Sequence, residues 1–140
     1  MKIPRKIVLD TDIILDHLTH RTGPGGTSST MREAMRKYFC YTTVFNVIEL
    51  FSLCATNRQR RAVEHALGAL KILGLNGKSG KETGSILDAA RGARRRDIDA
   101  LVAGVCQQSR LPLLTGRPAK YGKVRSLTLV TPNGRRIEKH

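Results

Sequence analysis

Apolar positions alternate in type along the chain. Lys6-Ile7-Val8-Leu9 is a short β-branched run that stops at Asp10-Thr11-Asp12, the pattern of a strand buried on both faces. Ile13 to Leu18 continues as a short helix, with Thr11 or Asp12 as its cap. Arg21 to Thr27 contains Gly23-Pro24-Gly25-Gly26 and reads as a loop. Ser28 or Ser29 caps a helix to about Lys37, and Phe39 to Thr42 is a second strand. Thr43 opens a helix reaching about Ala55 that is apolar nearly all round, so it belongs in the interior. Val63, Leu67 and Leu70 predict one amphipathic helix over Arg58 to Leu73, stopped by Gly74. Asn76 to Gly80 reads as a polar loop and Lys81 to Arg94 as a helix. Ile98, Leu101, Val102 and Val105 predict a helix over Asp97 to Gln108.

Leu111 to Thr115 and Leu127 to Val130 are the remaining clear strands. Gly116-Arg117-Pro118 is a turn, and Pro132-Asn133-Gly134 leads through a tight turn to an ending around Ile137. Strands alternate with helices throughout, which predicts an α/β sandwich around a mainly parallel sheet of about four to five strands. With 140 residues this is one domain, spanning 1–140. Ligands of such open sheets gather at the carboxyl ends of strands. Asp10, Asp12 and the Thr115-Gly116-Arg117 turn sit at such ends.

Composition changes the picture through charge. Lys plus Arg number 25 against 11 Asp plus Glu, a net charge of +14 that points to a polyanionic partner. No apolar run is long enough for a membrane span, and the first residues lack a signal-peptide pattern. Cys40, Cys54 and Cys106 lie in apolar surroundings without CxxC spacing. They read as buried thiols of a cytoplasmic protein, not as disulfides or zinc ligands. With no Trp and six aromatic residues, an array of stacked bases has little to bind to.

In so basic a chain the placement of the few acids is informative. Asp10 and Asp12 follow a strand, Glu49 lies inside an apolar helix, and Asp97 and Asp99 open another. Each has an ordinary explanation in capping, turn chemistry or pairing with an arginine. A joint explanation is an oxygen cage for a hard divalent cation at one end of the sheet. Such an ion supports phosphodiester hydrolysis, and the basic exterior would attract the nucleic-acid backbone. Arg94-Arg95-Arg96, just before Asp97, and Arg117 are the candidate phosphate contacts; solvated charge is the plain alternative.

Taken in order, these segments resemble a PIN domain, most closely a VapC-type toxin ribonuclease. Ile7 to Leu15 looks like the family's opening strand with its first acid at Asp10. Thr42 to Leu50 looks like the segment carrying its glutamate, here Glu49. Asp99 to Val105, followed by Leu111 to Thr115, looks like its third acid, helix and next strand; Gly92 and the closing strand Leu127 to Val130 also fit. The resemblance implies a PIN-like fold and a cytoplasmic endoribonuclease that uses Mg²⁺ or Mn²⁺ and leaves a 5′-phosphate. Its substrate would be structured RNA. It also implies a homodimer silenced by a cognate antitoxin; the basic surface predicts that the antitoxin carries an acidic tail or places an arginine in the carboxylate cage.

On that resemblance Asp10, Glu49 and Asp99 bind metal, Asp12 and Asp97 assist, and Thr115 orients water or metal. One departure stands out. The family often has Asn or Asp two residues after the strand-end threonine, and here that position is Arg117. This keeps open a catalytically impaired RNA-binding or interaction module; a separate alternative is an RNA-processing nuclease without an antitoxin.

Overall fold

A computed structural model describes residues 5–20, 26–78, 80, 81, 83, 84 and 97–139. Its strands are β1 (Arg5–Leu9), β2 (Tyr38–Thr43), β3 (Lys71–Leu73), β4 (Leu113–Leu114), β5 (Thr128–Val130) and β6 (Arg136–Glu138). Its helices are α1 (Thr11–Thr19), α2 (Thr30–Lys37), α3 (Val44–Ser52), α4 (Asn57–Leu67) and α5 (Asp97–Ser109), with a 3₁₀ turn over Pro118–Tyr121. The sheet order is β3-β2-β1-β4-β5-β6; β6 alone runs antiparallel, hairpinned onto β5.

Strand periodicity divides the core into two. Ile7 and Leu9 of β1 face one cluster with Ile13, Ile14, Met31, Leu50 and Val63, which brings α1 to α4 onto that side. Val8, between them, faces the other with Val102, Ala103, Cys106 and Tyr121, from α5 and the 3₁₀ turn. Leu114 and Leu113 of β4 split in the same way. Side chains two apart share a face, so a run buried on both sides must be apolar throughout, as Ile7-Val8-Leu9 is. The result is the expected α/β/α sandwich. No helix among the described residues is long and apolar enough to cross a membrane.

Some element boundaries differ from the sequence reading. The helix placed over Arg58 to Leu73 ends at Leu67, and Lys71–Leu73 pairs in parallel with β2 as the edge strand β3. The described sheet therefore has six strands, not four or five. Thr56 caps α4 through a reciprocal box with Gln59. The cap of α1 is Asp10, whose side chain accepts from the Thr11 N–H, not Thr11 or Asp12. Ser29 caps α2. Gly77, Lys78 and Gly80, read as a loop, are helical. Most of the Lys81–Arg94 helix, Gly92 and the triplet Arg94-Arg95-Arg96 lie outside the described residues.

Candidate carboxylate site at the sheet switch point

The chain passes from β1 to β2 on one side of β1 and later returns to β4 on the other. The carboxyl ends of β1 and β4 therefore flank a topological switch point, where open sheets form crevices. Asp10 follows β1 there, and its N–H donates to the Leu114 carbonyl at 3.0 Å. Thr115 follows β4, its N–H donating to the Val130 carbonyl.

Asp10 is 1% exposed, and a carboxylate so buried must be well bonded. Its Oδ1 accepts from the Thr11 N–H at 2.9 Å and from Asn46 Nδ2 at 3.1 Å. Its Oδ2 accepts from the Tyr121 hydroxyl at 2.9 Å. Asn46 is positioned by the cap of α3. Its Oδ1 accepts from the Thr43 N–H and hydroxyl, which turns its Nδ2 toward Asp10 and the Thr11 hydroxyl. Burial, then Asp10, pushes the Tyr121 phenol far above its ordinary value, so it stays a donor.

Lys120 completes this arrangement. Its Nζ lies 3.5 Å from Asp10 Oδ2 and 3.2 Å from Asp99 Oδ1, so one ammonium bridges two buried carboxylates, one just after β1 and one on α5. Asp12 sits beside them. Its Oδ2 accepts from the Gly116 N–H at 2.8 Å, and Thr115 Oγ1 lies 3.5 Å from its Oδ1. Desolvation, then the charge of Asp10, raises the Asp12 pKa. Gly116 suits that approach: a Cβ there would stand 2.7 Å from Asp12 Oδ2 and the carboxylate would have to shift.

The structure thus brings Asp10, Asp99, Asp12 and Thr115 to one end of the sheet. Glu49 is buried on α3 with an interaction of its own. Asp97 opens α5, but its side chain lies outside the described part. No cluster of three His, Cys, Asp or Glu side chains with metal-ligand geometry exists among the described residues. The donor chemistry still fits a hard cation, because Mg²⁺ and Mn²⁺ accept one or two carboxylates with water filling the other positions. Arg117 is exposed, and its N–H donates to Thr115 Oγ1.

Sequence reasoning assigned no role to Lys120, Tyr121 or Asn46. Lys120 is one of 25 basic residues in a chain that scatters them widely. Its one distinguishing signal was position, five residues after the strand-end threonine.

No protein-family model matches the sequence, and no curated protein matches it. Solved structures do. The chain is similar to VapBC from Salmonella typhimurium in its DNA-bound crystal structure, with a TM-score of 0.76 and 16% identity over 91% of this chain and 98% of that one. VapBC2 from Rickettsia felis, bound to a promoter DNA fragment, matches at 0.72 and 14%, over 90% and 98%. FitAcB from Neisseria gonorrhoeae matches at 0.66 and 15%, over 90% and 97%. At these identities the likeness shows the fold alone: this chain shares the fold of the matched VapBC and FitAcB chains.

Proposed function

We propose that this protein is a divalent-metal-dependent endoribonuclease acting as the toxin of a toxin–antitoxin pair. The observation that supports this most is the convergence of Asp10 and Asp99 on one cation position at the switch point of the sheet. Two carboxylates buried at the carboxyl end of a parallel sheet cost several kcal/mol unless a cation or donors answer them. Two of the similar structures are described as a toxin–antitoxin complex from Klebsiella pneumoniae and a member of a family of toxin–antitoxin systems from Mycobacterium tuberculosis, which favours an antitoxin partner here.

In this reading Asp10 and Asp99 hold Mg²⁺ or Mn²⁺, with Asp12, Glu49 and Asp97 at or near the same site. The ion, when bound, activates water and offsets charge on the reacting phosphate. The remaining tasks belong to the chain. Asn46 and Tyr121 fix the plane of the Asp10 carboxylate. The Gly116 N–H and Thr115 hold Asp12 toward the crevice. Arg117, exposed at its rim, and Arg94-Arg95-Arg96 contact the phosphates of the RNA. The protein works as a cytoplasmic homodimer. An antitoxin with an acidic tail suits the net charge of +14. An antitoxin arginine would have to displace Lys120 first.

RNA cleavage by Asp10→Asn and Asp99→Asn tests this assignment. Both substitutions should abolish cleavage while a gel shift shows RNA binding retained or improved, because a negative charge leaves the site. Cleavage at native levels by either variant contradicts the assignment. If the native protein binds RNA and never cuts it, the binding-module reading replaces this one, with Arg117 as the first position to revert to an acid.

A further inference from the structure

Lys120 does something a capping or solvated lysine does not. Its ammonium is within ion-pair distance of two carboxylates that come from different elements, 110 and 21 residues away in sequence. The backbone beneath it is held firmly. Tyr121, fully buried, donates to Asp10, and Lys139 donates to the Tyr121 carbonyl at 2.6 Å. Pro118 begins the turn and fixes one of its backbone angles. The side chain itself remains 15% exposed at the crevice, on a flexible four-carbon stem. So the root of Lys120 is fixed, while its head has a path out.

We propose that Lys120 is a built-in cation that fills the seat between Asp10 and Asp99, and that a divalent ion enters only by displacing it. The inference rests on the metal-site reading above for the location of the seat. The oxygens facing Lys120 Nζ are the ones a cation bridging Asp10 and Asp99 would use. A divalent ion cannot share them with an ammonium 3.2 and 3.5 Å away without strong repulsion between like charges. The lysine therefore keeps the two carboxylates compensated in the metal-free protein and lowers the apparent affinity for metal.

Calorimetric titration of the full-length protein with MnCl₂, without RNA, tests this directly. Lys120→Met should bind Mn²⁺ about tenfold tighter or more, since a competing charge has left the seat. Lys120→Arg, which keeps the charge, should bind no tighter than the native protein. Equal or weaker binding by Lys120→Met overturns the proposal. If that variant does not fold, the native protein supplies the test through amine labelling read by mass spectrometry. Mn²⁺ should speed labelling of Lys120 several-fold relative to the exposed Lys71, because the displaced amine is no longer ion-paired. Unchanged labelling at saturating Mn²⁺ overturns it. Neither readout involves RNA. Failure of the nuclease reading appears as absent cleavage, and failure of this proposal as unaltered metal affinity.

Discussion

Asp10 shows how much a single side chain can organise. It caps α1, receives the amide of Asn46 and the hydroxyl of Tyr121, and faces Lys120. Its importance was legible because an acid directly after an apolar strand, in a basic protein, is conspicuous. The same logic pointed to Asp99, which the fold brings to Lys120 beside Asp10, and to Glu49, which is buried on α3. It did not find Lys120 or Tyr121, because their role exists only once the 3₁₀ turn brings them under β1. A substitution at Tyr121 measures that hidden half of the site. Tyr121→Phe keeps the ring and removes one donor from a buried carboxylate, so unfolding in urea should show a loss of about 1–3 kcal/mol. Native-like stability would mean that the remaining donors satisfy Asp10 alone.

At the scale of elements, hydrophobic period located faces better than it located ends. Leu70 continues the spacing of Val63 and Leu67 and packs against the same core, yet α4 has already stopped at Leu67. The chain turns tightly there, with the Ala69 and Leu70 N–H groups donating to the carbonyls of Ala66 and Leu67. A three-residue edge strand has too few positions to show a period of two, so β3 stayed hidden in the sequence. The caps at Thr43 and Ser29 were legible, since those residues stand directly before their helices.

One such cap yields a pH prediction. His17 Nδ1 lies 2.7 Å from Ser29 Oγ, which ties α1 to the start of α2. Burial, then the charge of Arg32, lowers the His17 pKa from its ordinary 6.5. The fold thus favours the neutral ring, and the unfolded chain takes up the proton first as pH falls. The stabilisation is present above pH 6.5 and is lost as pH drops below it toward the folded value. The melting temperature should fall between about pH 7.5 and 5.5, and His17→Gln should flatten that fall. An identical pH profile in the variant would remove His17 from the account.

The whole molecule combines a strongly cationic chain with a small acidic centre. Charge of that kind draws in polyanions at long range, and salt screens it. RNA binding should therefore weaken steeply with ionic strength, each phosphate contact adding about −0.7 to the slope of log K against log salt for single strands. Binding insensitive to salt would assign recognition to other contacts. The α/β class and the switch-point site were visible in the sequence because they follow from element order. The lysine in the carboxylate seat was not, because it follows from a tertiary contact between β1, α5 and a turn.

The central claim is that this acidic centre cuts RNA with a divalent ion. Its most direct test is incubation of total RNA with the purified native protein in Mg²⁺, in Mn²⁺ and in EDTA, followed by mapping of the fragment ends. The account predicts discrete fragments with 5′-phosphates in either metal and intact RNA in EDTA. Intact RNA under all three conditions, or fragments that persist in EDTA, would contradict it.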